Sequence, residues 1–197
     1  TRMEASQAQL QSWAVLISAQ DWIKTALKFD VESSSSDHLL ELWAQPMPPI
    51  PFDGGLIGGR LIDAQSRLNV NRLAVPNENT RQLLCGQCNR LGHIQMVGGA
   101  ENRLYQTEQR TPPANQPFLV IDEMRQVMGV TPDVLSRLAP YIIALPNDTG
   151  LNLNTVSEPV LRSLGDWMNP DIAAKLIAKQ KMQPFENQSS IYLELQR

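Results

Sequence analysis

The sequence has few of the residues that catalytic and metal centres usually need. Its 197 residues include two histidines, His38 and His93, and two cysteines, Cys85 and Cys88. A Ser-His-Asp or Cys-His arrangement would have to use one of these two histidines, and neither lies in a recognisable catalytic motif. The nucleophile motif Gly-x-Ser-x-Gly is also absent. We therefore expect that this protein is not an enzyme.

Excess charge and long apolar runs are equally scarce. The 17 basic and 20 acidic residues give a net charge of -3, which argues against a nucleic acid bound by bulk charge. The apolar run Trp13–Ala19 is far shorter than the roughly 20 residues that cross a bilayer. The first residues lead straight into a helical pattern, so we expect any membrane anchor or leader to lie upstream.

The two cysteines form the motif Cys85-Gly-Gln-Cys88. A single pair without a second pair or a histidine cluster is weak support for zinc. A redox dithiol usually begins a helix after a strand, whereas Leu83-Leu84 precede this one. The main interpretations are a local disulfide between Cys85 and Cys88 in an oxidising compartment, or two plain thiols.

A long amphipathic helix is predicted over Glu4–Phe29. Its apolar residues recur near helical spacing: Leu10, Trp13, Ala14, Ile17, Trp22 and Ile23. We expect this helix to pack on a sheet of the same chain. It has no capping signal before its first turn, which predicts that it continues into a preceding segment.

A helical hairpin is predicted over Leu151–Phe185. Thr155 and Glu158 fit a capping box, with Ser157 as a competing cap. The second helix has its start signal at Asn169-Pro170-Asp171 and its stop signal at Gln183-Pro184.

A similar pattern occurs over Met124–Tyr141, with its helix restart at Thr131-Pro132-Asp133. Residues 118–185 are therefore expected to form a compact module of helical hairpins. The segments Leu68-Asn-Val-Asn71 and Leu151-Asn-Leu-Asn154 repeat as well. For these we favour asparagines that hydrogen-bond nearby backbone over a binding role.

The regions that flank the helical module look β-like. Strands are expected at Leu56-Ile57, Leu61-Ile62 and Ile191–Leu195, and a Pro-rich connection at Pro46–Pro51. The expected fold class is thus α+β, with a large all-α domain of helical hairpins inserted into or appended to a frame of few strands.

Paired helices with short turns also suggest helix-hairpin-helix proteins that bind DNA, such as those of the competence type. Such proteins bind a DNA phosphate through a glycine-rich hairpin whose backbone amides donate to it. The hairpin Leu164–Asp171 has one glycine, a bulky Trp167 and two carboxylates instead. We keep DNA binding only as the alternative function.

Several segments, in this order, resemble the K-type minor pseudopilin of the type II secretion system (general secretion pathway protein K). They are the helix with Gln7-Ala8 and Trp13-Ala14, then Gly59–Asn71, Gly98–Tyr105, Asn115–Arg125 with Gly129, and Leu145-Pro146 followed by Leu151–Thr155. The resemblance covers nearly the whole chain.

The resemblance implies a pseudopilin fold, in which a long N-terminal helix packs on an antiparallel sheet and an α-helical domain is inserted between strands. On this basis we assign residues 1–71 to the helix and first strands, 72–185 to the insertion and 186–197 to the returning sheet.

It also implies a periplasmic globular part and an inner-membrane anchor in the full-length protein. The family caps the pseudopilus tip with the I-type and J-type minor pseudopilins, promotes pseudopilus assembly and protein export, and works with inner-membrane secretion components. The expected partner interface is the face of the first helix that carries Leu10, Trp13, Ala14 and Ile17. No nucleic-acid partner is expected.

Calcium is a further expectation. Glu101, beside Asn102 and a glycine pair, offers oxygen ligands in a loop, as Ca²⁺ prefers. Leu91–Val97 stands where the family carries an acidic stretch, so Glu101 is the one metal ligand that the resemblance carries over.

Overall fold

The computed structural model describes residues 2–52, 55–74, 78–92, 116–127, 130–146, 149–187 and 191. The chain divides into two compact units, residues 1–62 and 63–197. The division precedes the predicted domain boundary at residue 71, since residues 63–71 belong to the second unit. The assignment of 72–185 as an insertion stays a prediction.

The first unit begins with a long helix, as predicted. Helix α1 covers Arg2–Ser33. A 3₁₀ turn at Leu42–Ala44 follows. Two strands, β1 (Met47–Phe52) and β2 (Gly55–Gly59), come after it in the described part of the unit.

Strands β1 and β2 form a two-stranded antiparallel sheet in which Ile50 lies opposite Ile57 and Phe52 opposite Gly55. The prediction of a connection at Pro46–Pro51 is therefore wrong. A strand in a pair has a partner on one side only, so prolines can occupy it where the missing amide faces away from the ladder. The register shift between Met47 and Ile50 marks where the prolines interrupt the pairing.

The second unit consists of short helices and two very short strands. In chain order, its described elements are a 3₁₀ turn (Ala64–Ser66), β3 (Leu68–Asn69), a 3₁₀ turn (Val70–Ala74), α2 (Glu78–Gly92), a 3₁₀ helix (Ile121–Gln126), α3 (Pro132–Leu138), β4 (Ile142–Ile143), α4 (Glu158–Ser163) and α5 (Pro170–Met182). Strands β3 and β4 pair in parallel, Leu68 with Ile142 and Asn69 with Ile143.

Two of the predicted helix starts are confirmed by their caps. The Thr131 hydroxyl accepts a hydrogen bond from the Val134 amide at 3.3 Å, and the Asn169 side chain accepts one from the Ile172 amide at 2.9 Å. In each helix a proline occupies the first turn. Helix α5 also ends at the predicted place, with Gln183 as its C-cap.

The predicted capping box of α4 is wrong. Ser157 occupies the N-cap position without a side-chain hydrogen bond. The Thr155 hydroxyl instead donates to the Asp63 carboxylate at 2.5 Å. A carboxylate is a stronger acceptor than a neutral group, and a partner 92 positions away cannot be inferred from a local motif.

The apolar core lies in the second unit. All described apolar residues that are fully buried belong to it: Leu68, Val70, Leu84, Cys88, Met124, Val130, Val134, Leu135, Leu138, Ile142, Val156, Val160, Leu161, Met168, Ala173, Leu176 and Phe185. Ala173 and Leu176 are the apolar residues that α5 buries in this core. Helix α4 contacts both α2 and α5, so this core joins residues distant in sequence.

The structure does not contain a strand at either of two other predicted places within the described residues. Leu61-Ile62 lies outside the strands of the structure. Of Ile191–Leu195, only Ile191 falls among the described residues. It is helical and half-buried against the core of the second unit.

Candidate functional site: the outer face of the N-terminal helix

Helix α1 has two apolar sides. One side is half-buried and carries Val15, Ala19, Ile23 and Leu27, which are spaced four residues apart. The other side carries the four predicted interface residues, Leu10, Trp13, Ala14 and Ile17, which we call the outer face. At 3.6 residues per turn, the outer face lies about 150° around the helix axis from the half-buried side.

The outer face is exposed along its whole length. The exposed fractions are 68% for Leu10, 62% for Trp13 and 44% for Ile17, and Ala14 is exposed as well. Their spacing, i, i+3, i+4 and i+7, is the pattern by which one helix packs against another. The structure thus brings the four residues together on one surface and leaves that surface uncovered within the described part of the chain.

The same stretch of helix carries no charge. Between Glu4 and Asp21 the sequence has no acidic or basic residue. Its exposed polar groups are small or uncharged, and two of them, Ser12 and Ser18, donate their hydroxyls to helix carbonyls at 2.9 and 3.0 Å. A helix face that stays in water normally carries charged side chains, so this surface has the composition of a helix that another chain covers.

Leu16 is a residue of this surface that the sequence analysis missed. It is 54% exposed, and with Ser6, Gln9, Leu10, Ser12 and Trp13 it lines a shallow groove on the helix. It lies three residues after Trp13, so helical spacing from Trp13 could have found it.

The two repeated asparagine motifs are structural, as the sequence analysis favoured. In each motif the first asparagine's oxygen accepts the amide of the second, at 3.1 Å for Asn69–Asn71 and 3.0 Å for Asn152–Asn154. The second asparagine then exchanges two hydrogen bonds with a distant backbone position. Asn71 holds Phe118 at 2.6 and 3.0 Å, and Asn154 holds Phe185 at 2.7 and 3.0 Å.

Cys85 and Cys88 both lie in helix α2, and the structure forms no disulfide between them. Cys88 is fully buried in the core and Cys85 is half-buried. Burial, and after it the charge of Cys85, raise the pKa of Cys88 to about 12. Cys88 is therefore a protonated core thiol at neutral pH and a poor nucleophile, and the disulfide stays a prediction.

The predicted metal ligand Glu101 lies outside the described residues, as does His93. The structure thus adds nothing to the expectation that Glu101 binds calcium.

The turn between α4 and α5 is poorly suited to phosphate. A Cβ atom on Gly165 would lie 2.6 Å from Nε1 of Trp167, so the indole ring packs directly over this glycine. The Met168 amide is already bonded to the Gly165 carbonyl at 3.0 Å, and the Asp166 side chain is fully exposed. A phosphate would meet an indole and a carboxylate here, and no open row of amides.

Comparison with known proteins finds the same family that the sequence motifs resemble. Two models of the family described as type II secretion system (T2SS), protein K match the chain, one over residues 93–147 and the other over residues 151–192. The resemblance to type II secretion system protein K is confirmed.

Curated relatives carry the same name. The type II secretion system protein K of Pseudomonas aeruginosa is 27% identical over 219 residues, which covers 94% of this chain and 65% of the relative. That of Aeromonas hydrophila is 31% identical over 184 residues, with 74% and 55% covered. The chain therefore spans between half and two thirds of the length of these relatives. Their names place protein K in a protein-transport machinery and mention neither catalysis nor DNA binding.

A solved structure shares the fold. A chain of the crystal structure of the GspK-GspI-GspJ complex from the type 2 secretion system of enterotoxigenic Escherichia coli matches with a TM-score of 0.73 at 23% identity. The match covers 100% of this chain and 82% of the other. The mixed α and β fold with a small antiparallel sheet is thereby confirmed.

None of the described helices is at once long enough and apolar enough to cross a lipid bilayer.

Proposed function

We propose that this chain is the globular part of a minor pseudopilin that caps the tip of the type II secretion pseudopilus, in complex with the I-type and J-type minor pseudopilins. The observation that carries the proposal is the outer face of α1. It combines exposed Leu10, Trp13 and Ile17 with a run of helix that has no charge.

The apolar side chains of the outer face are suited to packing against a helix of a partner protein. Large apolar side chains at i, i+3 and i+7 interdigitate with the equivalent ridge of a second helix. Trp13 is the expected anchor, because buried tryptophans dominate the binding energy of protein interfaces. The other apolar side of α1 is half-buried, whereas the outer face is exposed, so the outer face is the side offered to partners. A solved relative that forms a complex with GspI and GspJ supports this choice of partner.

The tip position is supported by the size of the second unit. Residues 63–197 form a unit with its own core, larger than the unit of residues 1–62 that carries α1. A filament subunit that packs through its helix leaves room for the next subunit only if its globular part is small. A chain that carries this additional unit therefore suits the end of the assembly, where nothing has to follow.

In this proposal the globular part works in the periplasm, anchored in the inner membrane through a segment of the full-length protein and assembled with inner-membrane secretion components. Its action promotes pseudopilus assembly and protein export and is mechanical, with no catalytic step.

The test is binding of the purified chain to purified I-type and J-type globular domains, followed by size-exclusion chromatography. We expect co-elution of the three chains. Trp13→Glu should remove it, because a carboxylate would then be buried against apolar side chains.

The matched control is Trp22→Glu. Trp22 is 61% exposed on the same helix but lies on a different side from the outer face, so the variant should still bind. Absence of co-elution for the unmodified chain, or equal loss in both variants, would refute the proposed interface. Salt-dependent retention of duplex DNA by the unmodified chain would instead favour the DNA-binding alternative.

A further inference from the structure

Three carboxylates of the first unit converge just after helix α1. Asp30 lies in the last turn of the helix, and Asp37 and Glu41 lie in the segment that follows. One carboxylate oxygen from each lies within 4.8 Å of the others. Oxygen ligands around Ca²⁺ lie at about 2.3–2.6 Å from the ion, so a spread of this size needs no rearrangement to surround one ion.

Glu41 is the fixed member of the cluster. It is 8% exposed, and its Oε2 accepts hydrogen bonds from the His38 amide at 2.8 Å and from Nε1 of Trp43 at 2.7 Å. Burial alone would raise the pKa of Glu41. Hydrogen bonds from the His38 backbone, Ser34 and Trp43, together with the charge of His38, outweigh burial and lower the pKa below its ordinary value of 4.5. The side chain is therefore ionised at neutral pH.

The second oxygen of Glu41 has no partner of this kind. Oε1 is buried without a hydrogen bond, and Nε2 of His38 lies 3.8 Å away, beyond hydrogen-bond distance. A buried carboxylate oxygen without a donor is costly. It indicates a ligand that supplies positive charge at this position.

The C-terminal end of helix α1 also favours a bound cation. Its last turn contains Asp30 and Glu32 and no basic residue. The C-terminus of a helix carries partial negative charge. Acidic side chains there increase the electrostatic repulsion, and a bound cation reduces it.

We propose that Asp30, Asp37 and Glu41 form a binding site for a hard divalent cation, and that this cation is Ca²⁺. Carboxylates are the ligands that Ca²⁺ prefers, and its irregular coordination accepts water at the exposed Asp37 side. The bound ion would tie the end of α1 to the segment that leads into the first sheet. The proposed ligand set does not include Glu101, and the proposal does not depend on the proposed function.

Trp43 gives the test a local probe, since its indole contacts Glu41 directly. Tb³⁺ replaces Ca²⁺ at oxygen sites and luminesces when a nearby tryptophan is excited. We expect sensitised luminescence from the full chain with Tb³⁺, loss of that signal in Trp43→Phe, and competition by Ca²⁺ that is stronger than competition by Mg²⁺.

Variants locate the site. Asp37→Asn changes an exposed side chain and should weaken Ca²⁺ binding in calorimetry by about tenfold or more, because affinity depends on the number of charged ligands. Glu41→Gln should do the same. The matched control is Asp21→Asn, which removes an exposed carboxylate of α1 that pairs with Lys24 at 3.1 Å and should leave binding unchanged.

Three results would overturn the assignment. They are no calcium binding at millimolar concentration, equal competition by Mg²⁺, and a signal that Glu101→Gln removes while Asp37→Asn does not. The last result would assign the ion to the loop around Glu101.

Discussion

The two units of this chain differ in the exposure of their apolar side chains. In the second unit Leu161 is 1% exposed and Leu138 is fully buried, whereas in the first unit Leu10 is 68% exposed and Trp13 62%. Among the described residues, the fully buried apolar side chains all lie in the second unit. One unit therefore completes its own core, and the other keeps an apolar helix face outward. Apolar helix faces of one chain can thus be buried in a core in one unit and stay exposed in the other.

The largest expected effect tests this contrast directly. Leu161→Ala should lower the free energy of unfolding by about 2–5 kcal/mol, because it leaves a cavity between α4 and its neighbours. Leu10→Ala, the same change on the outer face, should alter it by less than about 0.5 kcal/mol. Urea denaturation followed by far-UV circular dichroism measures both. Comparable losses would show that the outer face is covered within the chain.

A second test concerns polar groups. Asn154→Ala removes the side chain that bonds both the amide and the carbonyl of Phe185 in the buried interior. We expect a loss of about 1–3 kcal/mol for each buried backbone group left without its partner.

The control for this test lies in the first unit. Gln45 donates to the Leu39 carbonyl at 3.3 Å on the exposed surface, where water can replace it. Gln45→Ala should therefore change the free energy of unfolding by less than about 0.5 kcal/mol. If the Asn154 and Gln45 variants behaved alike, the asparagine would not be a structural clamp.

Within one pH unit of the ordinary pKa values, the effects of pH are expected to be the smallest of these, and they have opposite signs in the two units. The folded second unit keeps the Cys88 proton from pH 9.0 to about 12, while the unfolded chain loses it. Stability should then fall as pH rises above about 9, by at most about 1.4 kcal/mol per pH unit. In Cys88→Ala this additional slope should be absent.

The first unit should respond at acidic pH. Because the pKa of Glu41 is lowered from 4.5, its contribution is present above that pH and is lost as the pH falls through the folded value. Acid titration of tryptophan emission reports it, since Trp43 contacts Glu41. A titration that is unchanged in Glu41→Gln would contradict this assignment.

Local signals explain what could be predicted of the fold. Helices α3 and α5 carry a cap, a proline and an acid in the first turn, and each begins where these residues predict. Helix α2 was missed because its buried side includes the polar Gln87 beside Leu84 and Cys88, and because Gly86, a poor helix former, lies within it. Strand β1 was missed because proline usually argues against a strand.

The candidate sites also differ in how far the sequence predicts them. The outer face of α1 follows from helical spacing, so its residues could be named from the sequence. The cluster of Asp30, Asp37 and Glu41 could not, since it depends on the fold of the segment after α1. The pairing of β3 with β4 joins Leu68 to Ile142, and no local pattern specifies a contact across that separation.

Asn71 and Phe118 exchange a pair of hydrogen bonds, so the segment between them starts and finishes at one point of the structure. This segment contains helix α2, whose Leu84 and Cys88 are buried in the core. Two hydrogen bonds from a single side chain therefore hold together both ends of a segment that contributes to the core, and Asn71→Ala would release both at once.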